Sequence, residues 1–142
     1  MSKLKAVLDS NVLISGLLWK GSPNQIIKLS ENKYIELFSS PQIIEEVEDV
    51  LKRKLFVSRI EAIKTTIEEL IESLLSTVVI IHPKIKVNMV KEDKDDNKII
   101  ECAIQAEADA IVSGDNHLLK IKTAENIQIM TPTQFILKYQ NK

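Results

Sequence analysis

Cysteine, glycine and proline are scarce in this sequence. Its 142 residues include one cysteine, Cys102, three glycines and four prolines. A single cysteine excludes an internal disulfide framework and any zinc site built from paired cysteines. Apolar runs stay well below the roughly 18 residues that a membrane span needs, and no charged-then-apolar leader is recognisable. We therefore expect a soluble cytoplasmic protein that makes no membrane contact.

A large charge of one sign is also absent. The chain carries 19 lysines and arginines against 20 acids, for a net charge of −1. A global positive field therefore does not gather nucleic acid, which disfavours a passive nucleic-acid-binding module. Local basic rims remain, at Lys52 to Lys54 and at Lys120 with Lys122. The length suits one domain with a sizeable core, so we expect a single domain over residues 1–142.

Short apolar runs alternate with amphipathic stretches along the chain. The runs predict strands, and the stretches with a 3.6-residue period predict helices. Such alternation is typical of the α/β class, here a three-layer α/β/α sandwich with a mainly parallel central sheet. The predicted strands are Leu4–Leu8, Tyr34–Phe38, Thr77–Ile81, one that ends at Val112, and Ile127–Met130, with a short extended piece at Val87–Val90. The predicted helices are Val12–Trp19, one capped by Ser22, Pro41–Lys54 capped by Ser40, Arg59–Ser76, one that opens near Asp96, Asn116–Leu119 and Thr131–Tyr139.

Acidic residues lie within three positions of the ends of two predicted buried strands. Asp9 comes after the first strand, and Asp115 follows the strand that ends at Val112. Each could simply cap the next helix. In open α/β sheets, however, ligands bind at the carboxyl ends of the strands, so both carboxylates are candidates for one shared crevice.

Two further acids are candidates because of their position on predicted helices. Glu46 and Glu48 flank the apolar stripe of the helix after Pro41, one on each edge, so periodicity does not choose between them. Asp96 falls within the apolar stripe of its helix. It could be a helix cap, but an acid in the first turn that points toward the sheet also suits a site at the strand ends.

A cluster of three or four carboxylates predicts a metal site. Such groups repel one another and raise each other's pKa values, and a hard divalent cation removes that penalty. Oxygen-only ligands select Mg²⁺ or Mn²⁺, and neither histidine nor cysteine is placed to make a zinc site. A site of this kind performs metal-assisted phosphodiester hydrolysis without a covalent enzyme intermediate.

Four segments together resemble the PIN domain ribonucleases, and among them the toxins of toxin–antitoxin systems. They read VLDSNVLIS, SPQIIEEVEDVL, DDNKIIECAIQAEADAIVSGD and MTPTQFI, and they cover nearly the whole chain. The resemblance implies Asp9, Glu46, Asp96 and Asp115 as the catalytic metal ligands and Mg²⁺ or Mn²⁺ as the cofactor. It also implies an RNA substrate, an antitoxin protein as partner, and a homodimer.

Three other positions also bear on the resemblance. Asn11 and Ser113 match places where the family often has a small polar residue near its site. Relatives often carry a further aspartate two residues after the fourth acid, where this chain has His117. A histidine at such a position is more often a surface residue, so we do not assign His117 as a ligand.

Three alternative functions fit parts of the pattern. LDSNV is similar to the motif of haloacid-dehalogenase-type phosphatases, but that chemistry needs an acid where this chain has Asn11. A response-regulator receiver domain requires a pair of acids after the first strand, and only Asp9 follows it. A PIN domain that binds RNA or a partner without catalysis is the third alternative, which the presence of all four acids disfavours.

Overall fold

One six-stranded sheet organises the protein, whose computed structural model describes residues 3–84, 86 and 94–140, with the backbone alone for residues 94–96 and 140. The strands are β1 (Leu4–Leu8), β2 (Ile35–Ser39), β3 (Val79–Ile80), β4 (Ala110–Val112), β5 (Thr123–Ala124) and β6 (Ile127–Met130). Their order across the sheet is β3-β2-β1-β4-β6-β5. Every neighbouring pair is parallel except β5 with β6. This confirms the mainly parallel sheet.

Helices flank the sheet. They are α1 (Ser10–Leu18), α2 (Ser22–Glu31), α3 (Pro41–Leu51), α4 (Lys54–Ala62), α5 (Ile67–Thr77), α6 (Lys94–Ala106), α7 (Asn116–Leu119) and α8 (Pro132–Gln140). Helix α6 packs against β1, β2 and β4, whereas α2 packs against β2, α1 and α8, and α3 contacts both α1 and α6. Within the described ranges, no helix has the length and apolar character that crossing a membrane requires.

The two central strands are covered on both faces. Val7 and Leu8 in β1, and Ile111 and Val112 in β4, expose 1% of their surface or less. Successive side chains of a strand point to opposite faces, so burial of neighbouring residues requires packed helices on each side. Each such side chain contributes about 1.5–3 kcal/mol to folding. The α/β/α layering expected from the sequence is thereby confirmed.

The register of the sheet brings three strand ends to one edge. Leu8 pairs with Val112, and Val112 pairs with Met130. Beyond this row, the backbone N–H of Asp9 donates to Val112 O at 3.1 Å, and that of Ser113 donates to Met130 O at 2.9 Å. The residues that follow β1 and β4 therefore lie side by side, at the point where the strand order changes direction.

The prediction of one helix from Arg59 to Ser76 is wrong. The segment contains the end of α4 and all but the last residue of α5. A turn separates the two helices, and in this turn Lys64 adopts the left-handed conformation, with a φ of 58°. Thr66 caps α5, because its hydroxyl oxygen accepts from Glu69 N at 3.1 Å and its O–H donates to Glu69 Oε1 at 3.3 Å. The Thr-x-x-Glu pattern of a capping box is thus present in the sequence, although the continuous apolar stripe conceals it.

Other element boundaries differ from prediction by a few residues. The expected cap Ser22 is already helical, Gly21 precedes the helix, and the Ser22 hydroxyl lies 3.3 Å from Thr133 Oγ1. Ser40 does cap α3, accepting from Ile43 N. Strand β2 starts at Ile35, β3 spans two residues, and β5 was not expected from the sequence. The predicted extended piece Val87–Val90 lies outside the described residues.

Helix α1, which starts directly after Asp9, is held by a close approach to α2. A Cβ atom at Gly16 would lie 2.5 Å from Ile27 Cδ1 and 3.0 Å from Pro23 O. Asn24 Nδ2 also donates to Gly16 O at 2.8 Å. The absence of a side chain at Gly16 therefore lets the two helices pack closely, which fixes α1 at the carboxyl edge of the sheet.

We expect Cys102 to resist thiol reagents in the folded protein. Cys102 is fully buried in α6, and this burial raises its pKa from 9.0 to about 12. The thiolate is the reactive form, and a three-unit rise reduces its population about a thousandfold at pH 8. The reaction of the Cys102 thiol with a chromogenic aromatic disulfide can be followed by absorbance. The native protein should react negligibly, and the protein unfolded in guanidinium should react rapidly and stoichiometrically. Labelling within minutes under conditions where circular dichroism shows a native fold would contradict this expectation.

Candidate active site

Asp9 lies at the edge of the sheet that the carboxyl ends of the central strands form, and it is 6% exposed. Its Oδ1 accepts a hydrogen bond from Val12 N at 2.8 Å, which caps α1. Its Oδ2 accepts a hydrogen bond from the hydroxyl of Ser113. Asp9 is therefore a helix cap and a buried crevice acid at once, so the two interpretations of its position do not compete.

The environment of Asp9 favours its protonated form. Burial raises the pKa of Asp9 above its ordinary 3.8, and the nearby carboxylates of Asp115 and Glu46 raise it further. The hydrogen bonds from Ser113 and Val12 act in the opposite direction without cancelling the rise. A cation among these three acids would remove the repulsion and favour the ionised form of Asp9.

Ser113 connects the two strand-end acids. It is fully buried, and its Oγ donates to Asp9 and accepts from Asp115 N at 2.9 Å. Asp115 in turn caps α7, since its Oδ1 accepts from His117 N at 2.7 Å. One hydroxyl therefore sets the positions of the Asp9 carboxylate and of the turn that carries Asp115.

His117 contacts the site at Asp115. Its Nδ1 lies 3.5 Å from Asp115 Oδ1, and its side chain is 45% exposed. An imidazole in this position can orient the Asp115 carboxylate by a hydrogen bond. The contact gives no reason to assign His117 as a metal ligand.

Glu46 is brought to the site by α3. Its charge raises the pKa of Asp9, and its Oε1 forms an ion pair with Lys98 Nζ of α6. Glu48, which the helical periodicity left as an equal candidate, does not contribute to the pKa of Asp9. Helix α3 thus directs Glu46, rather than Glu48, toward the acidic cluster.

An open cleft of about 430 Å³ adjoins Glu46 between α3 and α6. Lys98 and Arg53 supply its positive charges, and Glu45 and Asp49 add to its negative ones. The remaining lining residues are Gln42 and Val50. The cleft shares Glu46 with the acidic cluster, and its volume leaves room for an extended ligand beside that residue.

The donor set of the cluster suits a hard divalent cation. Asp9, Asp115 and Glu46 supply carboxylate oxygens alone, which are the ligands of Mg²⁺ and Mn²⁺. Among the side chains that the structure describes, no three acids, histidines or cysteines already stand close enough to enclose an ion. Asp96 lies in the first turn of α6, and its side chain is outside the described residues.

Comparison with known proteins decides the family. The model of the PIN domain family matches residues 5–117, a span that contains all four predicted site acids. This chain belongs to the PIN domain family. A chain in the crystal structure of VapBC2 from Rickettsia felis bound to a DNA fragment from their promoter is similar, with 18% identity and a TM-score of 0.59. The alignment covers 89% of this chain and 97% of that chain. Among curated proteins, none matches the sequence.

Membership of the PIN family narrows the functional alternatives. PIN domains are generally nucleases, and they generally use divalent metals. The phosphatase and receiver-domain alternatives correspond to other families, and the match to VapBC2 shows that this chain shares the PIN fold. The acidic edge formed by Asp9, Asp115 and Glu46 is therefore the candidate active site of a PIN nuclease.

Two polar residues near the site were not identified from the sequence. Lys98 ends the charged run KEDKDDNK, a composition that is typical of a solvated loop, and Asn97 beside it is 6% exposed. The run contains three lysines, and nothing in its composition indicates which of them contacts Glu46. For Asn97 a signal existed, since it precedes the buried Ile100 by three residues and so shares its helix face.

Proposed function

We propose that this PIN domain is a Mg²⁺- or Mn²⁺-dependent endoribonuclease in which Asp9, Glu46, Asp96 and Asp115 hold the metal. The buried carboxylate of Asp9 is the observation that carries the proposal. Burial raises its pKa, and the nearby carboxylates of Asp115 and Glu46 raise it further. Strongly perturbed acids in a crevice are typical of functional sites, and this crevice lies where open α/β sheets bind ligands.

The residues of the cluster have separate roles in this proposal. Asp9 is the central ligand, with its carboxylate oriented by Val12 N–H and the Ser113 hydroxyl. Each carboxylate oxygen has a further lone pair that these hydrogen bonds leave available. Asp115 approaches from the turn between β4 and α7, and Glu46 approaches from α3. A bound divalent ion would supply an activated water at neutral pH and stabilise the leaving oxygen of the phosphodiester.

The proposed biological role is that of a toxin restrained by an antitoxin. Its support is the family resemblance, together with the shared fold of a chain from the VapBC2 complex of Rickettsia felis. An antitoxin protein and a second copy of this chain are the proposed partners, and the cytoplasm is the proposed location. A small neighbouring reading frame with a DNA-binding pattern would supply the candidate antitoxin, whose addition should suppress RNA cleavage.

We expect Glu46→Gln to lower Mn²⁺-dependent RNA cleavage about a hundredfold or more, the upper range for disturbing a metal centre. Glu48→Gln is the matched control, because it makes the same change on the same helix two residues away. Its activity should stay within about twofold of the unsubstituted protein. Cleavage of a panel of RNAs, with rates followed on denaturing gels, measures both variants.

Three results would argue against this proposal. An equal loss of RNA cleavage in Glu46→Gln and Glu48→Gln would show that the integrity of α3, rather than the Glu46 carboxylate, determines activity. Equal cleavage by the unsubstituted protein, Glu46→Gln and Asp96→Asn would identify a contaminating nuclease. RNA binding without turnover at any Mn²⁺ concentration would instead support the PIN domain without catalysis.

A further inference from the structure

The ion pair between Lys98 and Glu46 connects two helices at the acidic cluster. Lys98 Nζ contacts Glu46 Oε1, and the two side chains are 21% and 31% exposed. Lys98 lies in α6, two residues after Asp96, and Glu46 lies in α3. The contact therefore places a protein cation on a carboxylate whose charge also acts on Asp9.

A lysine and a divalent ion are electrostatic competitors at one carboxylate. Like charges a few ångströms apart repel strongly where water is partly excluded. Glu46 has two oxygens, but a metal ligated by either of them would lie close to an ammonium group on the other. Binding of the metal at Glu46 consequently requires Lys98 to move away from that carboxylate.

We propose that Lys98 is a positioning residue that neutralises Glu46 in the metal-free protein and competes with the divalent ion for it. This inference rests on the proposed metal site and adds a device that the family assignment does not contain. Lys98 relieves the repulsion among Asp9, Asp115 and Glu46 until a metal arrives. The same contact weakens metal affinity, so the site fills at a higher metal concentration than its carboxylates alone would require.

The inference predicts two effects of opposite sign for Lys98→Met, a variant that keeps the apolar length of the side chain. Without metal, the melting temperature should fall, because the acids lose their counter-charge. With Mn²⁺, the affinity should rise about three- to tenfold, the factor that corresponds to a partly buried ion pair. A merely structural role for Lys98 would lower stability and metal affinity together.

Titration calorimetry with Mn²⁺ alone, without RNA, measures this affinity. Lys98→Arg should bind Mn²⁺ like the unsubstituted protein, since it retains the ion pair. Arg53→Met removes a positive charge from the same cleft without touching the Lys98 contact, and its Kd should stay within about twofold. These two variants separate the ion pair from the general field of the cleft.

The Glu46→Gln background tests whether Lys98 acts through Glu46. In that background the gain in Mn²⁺ affinity from Lys98→Met should be much smaller than in the native background, because a double-mutant cycle reports the coupling between two residues in contact. An unchanged or weaker affinity of Lys98→Met in the native background overturns the inference and leaves the metal site intact. Persistence of the full gain in Glu46→Gln overturns it too. If the unsubstituted protein binds no Mn²⁺, both the inference and the proposed metal site fail.

Discussion

Asp9→Asn should reduce RNA cleavage about a thousandfold or more while the metal-free fold remains intact. The proposed site loses its central anionic ligand, and stabilisation of charge at the reacting phosphate is usually the largest single contribution to such catalysis. The amide oxygen of asparagine can still accept from Val12 N, and its amide group can donate to the Ser113 hydroxyl. The variant therefore removes the charge and keeps the cap of α1.

The stability of Asp9→Asn tests the same site independently of RNA. Because the folded-state pKa of Asp9 is raised above 3.8, the fold binds its proton more tightly than the unfolded chain does. The contribution of Asp9 to stability is thus largest below pH 3.8 and is lost as the pH rises through the folded-state pKa. At neutral pH without metal, the asparagine variant should be at least as stable as the unsubstituted protein.

Added Mn²⁺ should reverse this order. A ligand that binds only the folded state raises the melting temperature by mass action, and this increase should be present in the unsubstituted protein and absent in Asp9→Asn. Urea unfolding between pH 4 and 8, with and without Mn²⁺, measures both effects. Full activity or an undiminished Mn²⁺ shift in the variant would remove Asp9 from the proposed centre.

Ser113→Ala should lower the free energy of unfolding by about 2–3 kcal/mol, the worth of a buried hydrogen bond to a charged group. The Asp9 carboxylate loses a donor, and the backbone N–H of Asp115 loses its acceptor. Cleavage should also fall, since the two strand-end acids are no longer linked by one hydroxyl. Denaturant unfolding at neutral pH gives the change in free energy.

Ser39 offers the matched control for Ser113. It is 1% exposed and lies at the end of β2, which is separated from β4 by β1. Its Oγ has no hydrogen-bond partner among the described residues. Ser39→Ala deletes the same hydroxyl at the same edge of the sheet, yet it breaks no bond. Its stability should be unchanged or slightly higher. Equal destabilisation by both substitutions would mean that burial, rather than the Ser113 hydrogen bonds, sets the cost.

Local patterns predicted the parts of the site that depend on strand ends. The buried strand before Asp9 and the one before Asp115 were recognisable because continuous apolar runs mark strands covered on both faces. The choice between Glu46 and Glu48 needed tertiary structure, since both flank the same stripe of α3. The Lys98 contact with Glu46 joins residues 52 positions apart along the sequence, and helical periodicity carries no information about such pairs.

The division between α4 and α5 shows a different limit. Their apolar faces continue in phase, so a search for periodicity joins them, whereas the Thr66 cap and the left-handed Lys64 end one helix and start another. A capping box joins residues only three positions apart, so a longer apolar stripe that continues across it conceals the helix boundary. The predictions for Asp96 stay predictions, because its side chain lies outside the described residues.

The edge strands of the sheet have a consequence for assembly. Strands β3 and β5 each pair over two residues, and β5 runs antiparallel to its neighbour. Strand addition by a partner requires a long row of free backbone groups along an edge, and short edge strands are a common protection against unwanted pairing and aggregation. Neither edge offers such a row in the described part of the chain. A partner protein or a second copy should therefore dock through helical surfaces and side-chain contacts rather than by extending the sheet.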